Sequence, residues 1–370
     1  MLSELIRAFS MLVVLAALAG CSQQQVLNTL TTDSGYQVAA SIPFSPTHPL
    51  LTLDVYTPSR ILNAPVVVFF YGGRWTTGSK DQYKFVGQAL TAQGFVAVIA
   101  DYRKYPQVRF PEFVKDGARA VQWAHDNIAQ YGGDPAKLFV MGHDAGAQIA
   151  ALLALDGDYL KAVGGSRSWL RGMIGLAGPY DFMPITAPDL RDLFGPPDQF
   201  TQSQPIMFVD GSNPPLLLMT GLDDDSVLPS NTENLYKAVI KAGGPAEIVT
   251  YPKMSHSMIL ATIAAPLRRN SDVMVYITRF IRKNAVPSAV VAAPAPDDDG
   301  PRPENIQLPP LVTTTVPAAN AAPVPIAAPE SGSAPAPAPV PAPAPDANAQ
   351  PHLKMTPTIT PQPVQIPAQN

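Results

Sequence analysis

Short apolar runs alternate with stretches of helical length through the middle of the chain, and this alternation restricts the fold more than any other feature. The central runs are apolar without interruption, as expected of strands that are buried on both faces of a parallel sheet. The runs span 51–56, 65–70, 95–100, 138–141, 172–177, 215–220 and 247–251. Apolar residues recur every three or four positions in the stretches between them. The pattern predicts an α/β fold, with a mostly parallel central sheet and helices on both faces.

The composition divides the chain further. Residues 36–284 carry the alternating pattern and are predicted to form one domain, preceded by a linker over 21–35. From Ala285 onward there is no Phe, Trp or Tyr, and proline recurs every few residues. Such a segment cannot bury enough apolar area to offset the entropy lost on ordering. We therefore predict a disordered, Pro/Ala-rich tail over 285–370, which is either a spacer without a partner or a docking or wall-spanning segment.

The first 20 residues have the form of a signal peptide. An arginine precedes an apolar run over 11–19, which is too short to span a bilayer comfortably. Leu18-Ala19-Gly20-Cys21 resembles the bacterial lipobox, in which the cysteine is lipidated and becomes the mature N-terminus. Cys21 is the only cysteine, so no internal disulfide can form. The sequence predicts a membrane-anchored lipoprotein of the bacterial envelope, facing the periplasm or the exterior, with a plain secretory signal as the alternative.

A candidate nucleophile lies in the turn Gly142-His143-Asp144-Ala145-Gly146, between a predicted strand and a predicted helix. The turn differs at one position from the G-x-S-x-G nucleophile elbow. In that elbow the glycines let strand and helix pass closely without clashes of Cβ atoms. Asp144 stands where the serine is expected, and it is the candidate nucleophile.

A glycine-rich turn follows the buried run at 65–70. Such a turn can direct backbone N–H groups at a developing oxyanion, and the predicted donors are Gly73 and Arg74, with the N–H of Ala145 opposite them. A phosphate-binding loop is disfavoured, because Ser79-Lys80 reverses the residue order that such a loop requires.

Candidates for an acid and a base follow later in the chain. Asp223, Asp224 and Asp225 come directly after the predicted strand at 215–220, and each is a candidate to orient a histidine. His256 lies in a loop after the last predicted strand. The elbow aspartate, this acidic group and His256 stand in the order nucleophile, acid, base, which is the order of the α/β-hydrolase triad.

The charge of the chain argues against a nucleic-acid partner, since the formal net charge is −4 and there is no basic run. The acidic stretch after 215–220 lacks the alternating oxygen ligands of a calcium loop. We predict no cofactor and no metal, and a small ester-like molecule as substrate or ligand.

These segments together resemble the carboxylesterase-like branch of the α/β-hydrolases, near the hormone-sensitive-lipase and kynurenine-formamidase-like esterases. The match covers about residues 50–282 and rests on YGGRWTTGSKDQY, the stretch from GFVAVIADYRKYP to GHDAGA, IGLAGPYDF, GLDDDSV and MSHSM. The resemblance implies the α/β-hydrolase fold and the hydrolysis of a small ester or amide. It selects Asp224 as the acid and His256 as the base, and it places the oxyanion turn at Tyr71-Gly72-Gly73.

Asp144 departs from this pattern and leaves three functions open. A carboxylate that attacks an ester carbonyl forms an anhydride, and its charge opposes the oxyanion. We expect Asp144 and His256 to form an ion pair, and residues 179–214 to lie over the pocket as a small lid. The protein is an esterase-like hydrolase with altered chemistry, a catalytically silent ligand-binding lipoprotein, or an Asp-nucleophile hydrolase of epoxides or alkyl halides, since the aspartate elbow also resembles epoxide hydrolases and haloalkane dehalogenases.

The predicted anchor can be tested by replacing its acceptor, Cys21→Ser. We expect the variant to leave the membrane fraction of bacterial cells, because buried acyl chains hold the wild type there. Fractionation followed by immunoblotting measures the change, and equal membrane retention of the two proteins would contradict lipidation.

Overall fold

The computed structural model describes residues 23–59 and 61–286. The predicted signal peptide, Cys21 and the predicted tail beyond Val286 lie outside these residues. Among the helices that are described, none has both the length and the apolarity needed to cross a membrane.

An eight-stranded sheet forms the centre of the described domain. Its strands run in the order β1-β2-β4-β3-β5-β6-β7-β8, and β2 pairs antiparallel with both β1 and β4, whereas every other neighbouring pair is parallel. The bounds are β1 Tyr36–Pro43, β2 Thr52–Pro58, β3 Ala64–Phe70, β4 Val96–Ala100, β5 Gly133–His143, β6 Leu170–Leu176, β7 Leu216–Gly221 and β8 Ala246–Tyr251. The prediction of a mostly parallel sheet is confirmed.

Helices pack on both faces of this sheet. The α-helices are α1 Gln23–Thr29, α2 Lys84–Thr91, α3 Glu112–Asn127, α4 Ala145–Leu155, α5 Gly157–Lys161, α6 Pro188–Phe194, α7 Ser230–Lys241, α8 His256–Ala261 and α9 Val273–Ala285. Phe139 of β5 contacts Phe280 of α9, whereas Phe70 of β3 lies beside α3 and α4. Because Phe70 pairs with Gly142, three residues from Phe139, the two rings point to opposite faces.

The first described helix lies within the range 21–35, which was predicted as a linker. Helix α1 buries Leu27, and the side chain of Asn28 accepts a hydrogen bond from the backbone N–H of Phe85 and donates one to the carbonyl of Asp81. Strand β1 follows it at the edge of the sheet. The other end of the domain, Ala285 at the close of α9, lies one residue beyond the predicted boundary.

Residues 179–214, called the cap below, connect β6 to β7. The cap contains α6 and two 3-10 helices, Pro197–Ser203 and Pro205–Phe208. Phe194 and Phe200 are buried and fix it to the domain. Two ion pairs add to this attachment, between Arg74 and Asp189 and between Arg109 and Asp192.

Strand β3, strand β5 and helix α4 approach one another backbone to backbone at two glycines. A Cβ atom on Gly146 would overlap the carbonyl oxygen of Phe70, and one on Gly142 would overlap the carbonyl oxygen of Gly146. Backbone atoms cannot rotate away as the end of a long side chain can, so both positions require glycine. The crossing also forces a sharp turn at the residue between them, Asp144.

Replacing one of these glycines tests the crossing. We expect Gly146→Ala to lower the free energy of unfolding by about 1–3 kcal/mol or more, because the added methyl group overlaps a backbone oxygen. Urea denaturation measures the change. The matched control is Gly157→Ala at the start of α5, where the added Cβ meets only the flexible side chain of Arg167. Equal stability of the two variants would contradict the close approach.

Candidate active site

The turn between β5 and α4 holds Asp144 in a conformation that few non-glycine residues adopt, with φ 52° and ψ −125°. Its backbone N–H donates to the carbonyl of Leu176 at 3.1 Å, and its own carbonyl accepts from the N–H of Ala147 at 2.9 Å. The carboxylate is thereby raised above the carboxyl ends of the parallel strands. Side chains from different strand ends converge at this edge of an open α/β sheet.

The predicted acid and base are in direct contact. His256, the first residue of α8, shares a hydrogen bond of 2.9 Å between its Nδ1 and Oδ2 of Asp224. The other carboxylate oxygen of Asp224 accepts from the backbone N–H groups of Ser226 and Val227. The neighbouring Asp223 and Asp225 are exposed, whereas the Asp224 side chain is completely buried. The structure therefore brings together the same acid and base that the resemblance selected.

The second ring nitrogen of His256 faces the elbow. Its Nε2 lies 3.9 Å from Oδ1 of Asp144. This distance is within ion-pair range but too long for a hydrogen bond. The imidazole of His256 thus lies between two carboxylates. It is hydrogen-bonded to the buried Asp224 and makes no hydrogen bond to Asp144.

The glycine-rich turn after β3 directs two backbone donors at Asp144. The N–H of Gly73 lies 2.9 Å from Oδ2, and the N–H of Arg74 lies 3.1 Å from the same oxygen. Ala145, the third predicted donor, is adjacent in sequence, but among the described contacts its N–H does not reach the carboxylate. The elbow carboxylate therefore occupies the place where the oxyanion of a serine-dependent reaction would form.

Burial and neighbouring charge act in opposite directions on His256. Burial disfavours its charged form, but the hydrogen bond to Asp224 and the negative charge of Asp144 outweigh burial and raise its pKa above the ordinary 6.5. Burial alone would raise the pKa of Asp224. The pKa is nevertheless lowered, because Asp224 accepts hydrogen bonds from His256 and from the backbone N–H groups of Val227 and Ser226.

His143, which lies between Gly142 and Asp144 in the elbow, contacts the backbone of the candidate base His256. One of its ring nitrogens, Nε2, lies 2.9 Å from the backbone carbonyl oxygen of His256. Burial and the nearby charge of His256 lower the pKa of His143 to about 4. His143 is therefore neutral near pH 7, and its Nε2–H donates a hydrogen bond to this carbonyl, which fixes the start of α8.

Sequence reasoning missed the groups that hold the oxyanion turn in place. The hydroxyl of Tyr71 donates to Asp101 at 2.6 Å and accepts from Nζ of Lys104 at 3.0 Å. Tyr102 donates to the backbone carbonyl of Tyr71. These partners lie about thirty residues further along the chain, and no local pattern indicates the pairing.

A cleft of about 900 Å³ opens above Asp144 and His256. The cap contributes Phe182, Met183 and Leu190 to its wall, in agreement with the predicted lid. The cleft thus combines apolar walls with a few convergent polar groups, as small-molecule sites commonly do. Within the described ranges no group of His, Cys, Asp or Glu is arranged to hold a metal ion.

Comparisons with known proteins agree with this geometry. Residues 53–239, just over half of the chain, match the family model described as BD-FAE. A probable isoprenylcysteine alpha-carbonyl methylesterase of Arabidopsis thaliana is 28% identical over 245 residues, covering 60% of this chain and 51% of that protein. Esterase LipQ of Mycobacterium tuberculosis is 28% identical over 250 residues, covering 62% and 58%. The chain thus spans little more than half the length of these curated relatives.

Solved structures share the fold. The thermostable carboxylesterase EstE1, cloned from a metagenomic library, superimposes with a TM-score of 0.61 at 19% identity, covering 72% of this chain and 95% of EstE1. A truncated carbohydrate esterase from gut microbiota gives a TM-score of 0.58 at 18% identity, covering 69% and 98%. The α/β-hydrolase fold implied by the sequence is confirmed.

The charge on His256 depends on its buried partner. In Asp224→Asn we expect the pKa of His256 to fall by about 1–3, because the opposite charge and its charged hydrogen bond are lost. NMR titration of labelled imidazoles measures the shift. The control Asp225→Asn removes a more distant, exposed carboxylate and should lower the pKa less. If both variants shift His256 equally, the Asp224 contact does not set its charge.

Proposed function

Because the chain belongs to the BD-FAE family, we propose that it is an esterase-like α/β-hydrolase that acts on a small ester or amide, with Asp144 in the position of the nucleophile. One observation supports this most: His256, held by Asp224, faces both the elbow and the backbone donors Gly73 and Arg74 across one cleft. These are the parts that acyl transfer requires, apart from the serine.

Ester hydrolysis at this site proceeds through water. His256 in its neutral form accepts a proton from a water molecule, whose oxygen attacks the carbonyl carbon of the substrate. The carbonyl oxygen gains negative charge and requires the N–H groups of Gly73 and Arg74. As the C–O bond to the alcohol breaks, His256 returns the proton to the departing oxygen.

Asp144 keeps this reaction slow. In the resting site its Oδ2 accepts the hydrogen bonds of both donors, so a substrate carbonyl has to displace a charged group. The raised pKa of His256 also reduces the fraction of neutral base near pH 7. We therefore infer weak activity toward esters in the wild type, which increases as the pH rises through the pKa of His256.

A second candidate function is favoured by the orientation of the carboxylate. Oδ2 of Asp144 is anchored by two N–H groups, which leaves Oδ1 directed toward His256 and the cleft. In an epoxide or alkyl halide, Oδ1 attacks an sp³ carbon and the C–O or C–halogen bond breaks, with the electron pair going to the leaving group. His256 then takes a proton from water, whose oxygen attacks Cγ of Asp144. As the ester C–O bond breaks, His256 returns this proton to the released alcohol oxygen, and the new carboxylic acid loses its proton to regenerate the carboxylate, that proton going to the opened epoxide oxygen or to solvent.

We also propose that the protein is a membrane-anchored lipoprotein of a bacterial envelope. The support is the lipobox-like sequence that ends at Cys21, which lies outside the described residues. The partners proposed are a small ester-like molecule and the membrane, without nucleic acid.

Restoring the serine tests the main proposal. We expect Asp144→Ser to raise kcat/KM for p-nitrophenyl acetate and butyrate by about a hundred- to a thousandfold, because the oxyanion donors are freed and His256 gains a proton to accept. Initial rates of p-nitrophenol release measure the gain. The double variant with His256→Ala is the control and should lose it.

Two other results separate the remaining functions. An epoxide or haloalkane that leaves a mass increase on the wild-type peptide carrying Asp144 would favour attack at an sp³ carbon. A folded Asp144→Ser protein that is inert toward esters would contradict the esterase proposal and favour a catalytically silent binding protein.

A further inference from the structure

The oxyanion turn has an unfavourable backbone. Gly73, Arg74 and Trp75 are consecutive residues with φ of 121°, 53° and 59°. Left-handed conformations are uncommon for residues with a side chain, and here two of them follow each other. The donors at Gly73 and Arg74 therefore depend on contacts outside the turn that keep this conformation in place.

Trp75 makes several of these contacts. Its side chain is buried although it belongs to a turn, and its ring packs edge-on against Phe194 with a centroid distance of 4.9 Å. Its indole N–H donates to Oε1 of Gln148 at 2.9 Å. The residue after the second donor is thus fixed both by packing and by a buried hydrogen bond.

Gln148 is completely buried and uses both ends of its amide. Its Oε1 accepts from Trp75, and its Nε2 donates to the backbone carbonyl of Ser203 at 2.7 Å. Ser203 ends a 3-10 helix of the cap. Gln148 lies one turn after Asp144 on α4, and its own backbone N–H donates to the carbonyl of Asp144 at 3.3 Å. One side chain therefore connects the elbow helix, the oxyanion turn and the cap.

We propose that Gln148 is a positioning residue, which holds the donors of the oxyanion turn at the elbow and makes their position depend on the cap. An amide suits this place because it accepts from an N–H and donates to a carbonyl at the same time. A glutamate accepts from Trp75 but, when ionised, has no proton for Ser203. The effect on catalysis rests on the proposed function, whereas the effect on the turn does not.

Hydrogen exchange tests the turn without any activity. In the otherwise wild-type protein, Gln148→Met keeps the length of the side chain and removes both hydrogen bonds. We expect the amides of Gly73 and Arg74 to exchange about tenfold faster, because loss of the hydrogen bonds lets the turn open locally. Mass spectrometry of peptides that cover 71–78 measures the rate.

The matched control is Thr278→Val on α9, which also removes a buried hydrogen bond, here to the carbonyl of Met274. It should lower stability without accelerating exchange in 71–78. If Gln148→Met does not fold, Trp75→Phe replaces it, since that variant keeps an aromatic ring and removes the donor. Unchanged exchange in the folded variant overturns the proposal.

Kinetics in the Asp144→Ser background test the catalytic part. We expect Gln148→Met to lower kcat for p-nitrophenyl butyrate by about 10- to 100-fold with KM within about threefold, because the donors act mainly in the transition state. Trp75→Phe should lower kcat similarly, and the double variant should lose little more than either single one. Additive losses in this cycle, or an unchanged kcat, overturn the catalytic role.

The two measurements also separate this proposal from the proposed function. If Asp144→Ser is inactive but Gln148→Met accelerates exchange in 71–78, the esterase proposal fails and the role of Gln148 in holding the turn is supported. If Asp144→Ser is active and Gln148→Met changes neither exchange nor kcat, the esterase proposal stands and Gln148 only fills the core.

Discussion

The close crossing of β3, β5 and α4 is the constraint on which the rest of the site depends. Two glycines, Gly142 and Gly146, bring three backbones together where no Cβ atom fits. The residue between them is forced into a left-handed conformation and carries its side chain above the sheet. The end of β3, where the glycine-rich turn begins, is held against the start of α4 by the same contact. The packing of the backbone therefore sets the distance between the N–H donors of the oxyanion turn and the side chain of Asp144.

Charge distribution follows from this placement. Asp144 and Asp224 lie on opposite sides of the His256 ring, with one hydrogen bond of 2.9 Å and one longer separation of 3.9 Å. The asymmetry fixes the proton of His256 on the Asp224 side, since the shorter bond is to the buried carboxylate. A serine at the elbow would leave the Asp224–His256 hydrogen bond and the glycine crossing in place, because neither involves the Asp144 carboxylate.

Much of the fold is predictable from the sequence, because strands that are buried on both faces of a parallel sheet consist of consecutive apolar residues. Strand β1 was missed for the opposite reason: it lies at the edge of the sheet, where most of its residues face solvent and no apolar run is needed. Helix α1 was missed because a seven-residue helix with a single buried leucine, Leu27, leaves almost no periodic signal.

The sequence likewise predicts some residues of the candidate site and not others. The acidic group after β7 and His256 after β8 were predictable from their places after strands, and only the family resemblance selected Asp224 from the three aspartates. The elbow glycines were predictable because a backbone crossing allows no other residue. The state of Asp144 was only partly predictable: the expected approach to His256 is present, but the two hydrogen bonds from the oxyanion turn decide its orientation. Gln148 and Lys104 gave no signal, since their partners are distant in sequence.

The Asp144 carboxylate acts as an internal ligand of the oxyanion turn, because it accepts the hydrogen bonds of Gly73 and Arg74. A group attached to the chain competes with molecules in solution at an effective concentration on the order of millimolar or higher, without the loss of freedom that a free molecule suffers. Acetate, butyrate or any other free carboxylate that enters the cleft meets donors that already bond to a carboxylate of the same shape. Carboxylates and tetrahedral anions in solution are therefore expected to bind weakly at these donors.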